Sequence, residues 1–371
     1  MNLAFINVFV ALFIFGIVVA FLGAAKLYIA DKLSLNDARM AQLFSLNQFS
    51  CLIGLVIAGS GFFSTHYKLV LGSGFLMIIV SIWLIGTEPK YLAFALAFSG
   101  LGLGGSFLNA GSNALLPVLN HNNPTSITNL AHASYGFGAL VLPILFTYLL
   151  KNFGWRKALK IIAVILLIPT GAALTAIYPE STTLSGSTKP IVLSGNQTIG
   201  LALIASFCHI GIESSLAIWT TTYLKSAGWN EIKASSLVTF FWLALMLGRL
   251  FAGTVVTLDN GALVIQVAIV LLMMTLIFMT SLITPWSSIL SVFVLGFCCA
   301  PIFPTLISII FAKFDAALSG NIYTLLASVG MGGATIFPYL IGRLSSSLSI
   351  YYGLRFLLAP ASIMLLVTFF L

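Results

Sequence analysis

Glu213 is the one carboxylate in this chain with a long apolar run on both sides, in the stretch HIGIESSLAIWTTTY at 209–223. His209 precedes it by four residues, so on a helix the two side chains leave nearly one face. At the helical repeat, Ser206 and Thr220 join that stripe, and Leu, Ile, Ala and Phe fill the other faces. A carboxyl group held away from water beside an imidazole can exchange a proton near neutral pH. The pair can also grip a polar solute, and the plainer alternative is a buried polar contact that locks two helices. Gly102, Ser106, Asn109 and Asn113 form a second one-sided stripe. Its amides offer donors and acceptors suited to solute hydroxyls, while its small residues equally suit close helix packing. Trp219, Phe241 and Trp242 could stack on a ring or serve as core.

The elements that position these groups must cross a bilayer. Apolar residues make up 60% of the 371 and charged residues only 6%, whereas a soluble domain carries about a quarter charged. The net charge of +8 comes from basic residues scattered singly, apart from a cluster at 151–160. Lipid headgroups, not nucleic acid, are their expected partners. Cys51, Cys208, Cys298 and Cys299 lie in apolar runs, spaced for neither zinc nor an external disulfide framework. No cofactor, metal site or nucleophile–base set is expected, so an enzyme is not the reading. Gly100, Gly102 and Gly105 match a dinucleotide fingerprint only in form, because no strand precedes them.

Bilayer-length runs fall near 5–29, 42–63, 68–87, 91–119, 127–150, 158–178, 197–224, 234–256, 261–283, 287–312, 319–341 and 351–371. The first is expected to be a retained span and not a cleaved signal peptide. A polar linker at 179–196 divides the chain into six-span halves, 1–178 and 197–371. Those halves repeat. Residues 53–59 match 247–253 at an offset of 194, and 133–138 match 327–332 at the same offset, with Pro143 and Pro338 one residue out of step. Two six-helix bundles in parallel repeat, with a solute site between them, is a carrier architecture. Arg249, late in the eighth span, is expected to latch a gate through Asp259 or helix-end carbonyls, and Lys26 to snorkel to the surface.

The segments IGIESSLAIWTTTYL (210–224), FFWLALMLGRLFAG (240–253), APIFPTLIS (300–308), GLGLGGSFLNAGSNALL (100–116) and NLAHASYGFGALVLP (129–143) together resemble the fucose/glucose/galactose symporter branch of the major facilitator superfamily. The resemblance implies an all-α integral membrane fold of twelve transmembrane helices in two pseudo-symmetric bundles. It also implies sugar contacts from the fifth span, where Asn129, His132 and Tyr135 stand. Fucose-type coupling uses acids in the first and fourth spans. This chain has Gly23 and Asn109 there, so Glu213 would have to take that role. The family topology puts the amino terminus inside and most Lys and Arg in outer loops, the reverse of the positive-inside preference.

The expected function is alternating-access transport of a small polar solute, such as a sugar, coupled to H+ or Na+. The carrier is expected to be a monomer in a bacterial cytoplasmic (inner) membrane. A proton-driven exporter of drug-like or metabolite compounds and a non-transporting receptor or scaffold stand as alternatives.

Overall fold

The computed structural model describes residues 3–32, 37–59, 66–87, 90–119, 124–179 and 196–371, so the expected linker lies almost wholly outside the described residues. In chain order the helices are α1 (Leu3–Lys32), α2 (Asp37–Ala58), α3 (Tyr67–Gly86), α4 (Tyr91–Leu119), α5 (Pro124–Ile165), α6 (Leu167–Thr175) and α7 (Gln197–Ser226). They continue as α8 (Glu231–Val255), α9 (Leu258–Ser281), α10 (Pro285–Cys299), α11 (Ile302–Ala312), α12 (Ser319–Ser347), α13 (Ile350–Arg355) and α14 (Leu358–Thr368). No strand occurs among the described residues. Among the described residues, ten stretches are long and apolar enough to cross a membrane, and α2 adds the shorter apolar helix Gln42–Ala58. One of the ten, Pro124–Thr175, runs for 52 residues, enough for two crossings. The set therefore has room for the expected twelve.

Local chemistry sets the breaks. Gly154 adopts φ 72°, ψ 168° inside α5, a region essentially closed to side-chain-bearing residues. It turns the chain between the fifth and sixth spans. Trp155 follows it, stacks on Tyr28 at 4.1 Å and donates to the Ile85 carbonyl. The expected tenth span is two helices, α10 and α11, because Pro301 has no N–H to continue the ladder. Of its best apolar window 83% is buried, against 33% in α9. The α10–α11 pair is thus a core element, and α9 turns apolar side chains such as Leu263 and Met274 outward, as a lipid-facing helix does.

The chain forms two compact units. One comprises Met1–Leu119, Ser134–Thr183 and Ala316–Thr324; the other comprises Asn120–Ala133, Leu184–Asp315 and Leu325–Leu371. The first turns of α5 thus belong with the second half of the sequence, and the first turns of α12 with the first half.

Inside each unit the same glycines bring the same helices together. A Cβ at Gly54 would lie 2.9 Å from the Cβ of Ser106 and press on Leu103; one at Gly248 would lie 2.6 Å from the Cβ of Ala300 and press on Phe297. Each pair of positions differs by 194, as the sequence repeat requires. The fifth and eleventh spans follow another register. Gly138 abuts the Phe13 carbonyl and Gly333 the Phe207 carbonyl, while Tyr135 and Gly330 both meet the 16/210 position. The offset there is 195, which corrects the 133–138 match by one residue and brings Pro143 and Pro338 into step.

Candidate functional site

The second unit holds a largely buried charged cluster around Glu213 of α7. His209, one turn earlier, places Nε2 3.2 Å from Glu213 Oε2, and Arg249 of α8 places Nη2 3.7 Å from the same oxygen. His209 and Arg249 are almost wholly buried, while 19% of the Glu213 side chain remains accessible. A single carboxylate oxygen thus faces an imidazole and a guanidinium at the edge of a dry interior. Burying an acid is costly unless it is neutralised, and Arg249 supplies the opposite charge.

Two other elements close the cluster. Phe303, at the start of α11, stacks on the His209 ring with centroids 6.1 Å apart and planes 6° from parallel. His132 of α5 meets the same phenyl edge-on at 6.3 Å. Arg249 Nη1 donates to the His132 backbone carbonyl at 3.3 Å. One turn before His132, Asn129 donates from Nδ2 to Thr125 O at 2.9 Å and to Thr305 Oγ1 at 3.1 Å. Its Oδ1 is buried with no hydrogen-bond partner, an acceptor available to an incoming donor.

The rest of the α7 stripe is turned to packing. Ser206 donates to the Leu326 carbonyl of α12, Thr220 to its own Leu216 carbonyl, and the Trp219 indole to the Pro338 carbonyl. Phe241 is core, its carbonyl closing against Gly296. Arg249 differs from expectation as well. Its carboxylate partner is Glu213, and Asp259 stands exposed in the first turn of α9. The sequence suggested Asp259 because it lies ten positions on. The actual partner is on the neighbouring helix. The side chain of Lys26 lies outside the described residues.

The first unit holds an uncharged counterpart. Asn109 Oδ1 of α4 accepts from Asn113 Nδ2 at 3.1 Å and from the Tyr323 hydroxyl at 2.8 Å. Tyr135 packs against Phe15 of α1, with ring centroids 5.3 Å apart and planes tilted by 34°. Phe303, Thr305 and Tyr323 were not singled out from sequence. Aromatic and hydroxyl residues in apolar runs give no local signal, although Phe303 stands between Pro301 and Pro304, where a helix is interrupted.

The family model of the Major Facilitator Superfamily matches residues 8–338. This chain belongs to that superfamily. It is 25% identical over 318 residues to the bypass of stop codon protein 6 of Saccharomyces cerevisiae, covering 74% of this chain and 63% of the yeast protein. It is 22% identical over 295 residues to the glucose/mannose transporter GlcP of Bacillus subtilis, covering 75% and 72% of the two chains. Among solved structures, the E. coli fucose:proton symporter FucP superposes with a TM-score of 0.80 at 14% identity, covering 99% of each chain. The protein is a multi-pass membrane protein of a transporter superfamily, not an enzyme.

Proposed function

We propose that this major facilitator protein moves a small polar solute, such as a sugar, across the membrane by alternating access, with H+ as the coupling ion. Glu213 would take the proton, with His209 and Arg249 setting the balance between its two charge states. The observation behind this reading is a carboxylate oxygen within 3.2 Å of an imidazole and 3.7 Å of a guanidinium, on a side chain that keeps 19% accessibility. A group that must take a proton from water needs such access, and a purely structural pair does not. Asn129, His132, Asn109, Asn113 and Tyr135 are the solute contacts in this reading; Thr220 and Trp219, with their polar atoms committed to carbonyls, are secondary. The glucose/mannose relative supports a sugar. A monomer in a bacterial cytoplasmic membrane completes the reading, with relatives in both a bacterium and a yeast.

A thermal-shift screen of the purified protein against glucose, mannose, fucose and organic acids at two pH values would identify a ligand, since a specific one stabilises the state it binds. Uptake of that ligand into proteoliposomes under an imposed pH gradient then tests the coupling. Glu213→Gln should abolish the pH-driven component. Unchanged pH dependence in that variant would refute the role of Glu213, and solute loss against proton entry would turn the reading to export.

A further inference from the structure

The Arg249 guanidinium touches two things at once: the charged oxygen of Glu213 on α7 and the backbone carbonyl of His132 on α5. The second contact is unusual in its consequence, because residues 124–133 are the part of the fifth span that packs with the other half of the sequence. The same segment is tied down by uncharged bonds. Ser126 donates to the Gly253 carbonyl, one turn beyond Arg249 on α8; Ser308 donates to the Pro124 carbonyl; and Asn129 donates to Thr305. Only the Arg249 bond is charge-assisted, and so the strongest of the set.

We infer that Arg249 transmits the charge state of Glu213 to the first turns of α5, so that protonation of the acid loosens residues 124–133. This rests on the proposed arrival of a proton at Glu213. When a proton from water adds to the carboxylate, Oε2 loses its charge, and Arg249 loses that countercharge in a dry cluster. It gains by moving toward water, and the His132 carbonyl then loses its donor. Among the described residues, the titratable and charged groups facing Arg249 include Glu213 and His209 from α7, His132 from α5 and Cys299 from α10. Glu213 is the only acid among these groups, and the Glu213→Gln variant separates its response from that of the two imidazoles. Arg249 is thus a positioning residue, acting on α5 through the His132 carbonyl.

The test is hydrogen–deuterium exchange of the full-length protein, read as protection factors corrected for intrinsic exchange, near pH 8 and near pH 5. In the unaltered protein, protection across 124–133 should fall on acidification by about tenfold, the scale of one lost charge-assisted hydrogen bond. Residues 319–324, in the other unit, should not respond. Glu213→Gln should give low protection at both pH values, and Arg249→Lys, which keeps the charge, should retain a pH response. Ser126→Ala should lower protection at both pH values and preserve their ratio. A pH response that survives in Glu213→Gln, or one shared equally by 319–324, overturns the inference. Loss of pH-driven uptake in Glu213→Gln, with pH-independent protection of 124–133 in the unaltered protein, would also overturn it while leaving Glu213 as the coupling acid.

Discussion

Removing one partner of a buried ion pair costs more than removing both, because the survivor is a charge without compensation. Arg249→Met should therefore destabilise the protein by about 3–5 kcal/mol, and Glu213→Gln by less, since the neutral amide carries no charge to strand and the position keeps some access to water. The double variant should recover at least half of the Arg249→Met loss, read by thermal unfolding in detergent; strictly additive losses would mean the two side chains do not share a fate. In the first unit, Asn109→Ala should weaken apparent substrate affinity about tenfold, while Tyr323→Phe removes the same hydrogen bond from its other end and costs about 1 kcal/mol of stability. Equal affinity losses in the two would return Asn109 to packing. The residues legible from sequence were those whose type is out of place in lipid. Glu213 and His209 are visible because an acid and an imidazole four apart in an apolar run have few uses. Phe303 and Tyr323 were invisible because their partners, His209 and Asn109, are remote in sequence. Arg249 was visible, but its partner was not, since a charge pair across two helices leaves no spacing to read.

At the scale of elements, glycine and proline wrote the breaks into the sequence and side-chain pattern wrote the spans. The turn expected at 151–157 is realised at Gly154, whose backbone region costs about 1–3 kcal/mol for any residue with a Cβ. Gly154→Ala should thus lower stability by about 1–3 kcal/mol, whereas Lys151→Ala, an exposed position three residues earlier, should stay within about 0.5 kcal/mol. Comparable losses in both would mean that the cluster, not the conformation, sets the cost. Register was the harder matter. The offset of 194 holds where α2 meets α4 and α8 meets α10, because Gly54 and Gly248 each leave room for one facing side chain. Short glycine-rich strings such as 133–138 slide by one without penalty in a sequence match. The carbonyl contacts of Gly138 and Gly333 show that the true step is 195. Small residues specify packing by the distance they permit, and sequence similarity does not record that distance.

Across the whole molecule the two repeats share packing but not charge. The positions equivalent to Glu213, His209 and Arg249 in the first half are Val19, Phe15 and Leu55, so the ionic cluster has no counterpart at those positions. The exchanged segments, in contrast, occur in both. Residues 124–133 are held in the second unit by Ser126 on Gly253, and 319–324 in the first by Ser319 Oγ on the Ala114 carbonyl at 2.8 Å and Tyr323 on Asn109. An alternating-access carrier must make and break contacts between its halves in every cycle. On the proposed function, those two sets are the ones that must release. Replacing Ser126 and Gly253 together with cysteine, in a background with Cys51, Cys208, Cys298 and Cys299 replaced by serine or alanine, should allow oxidation to fix the first turns of α5 to α8. Uptake should then stop in the oxidised protein and return on reduction, while ligand-induced thermal stabilisation persists in at least one state. Transport that continues through a verified cross-link would show that these turns stay docked throughout the cycle, and the opening would have to be sought elsewhere in the two units.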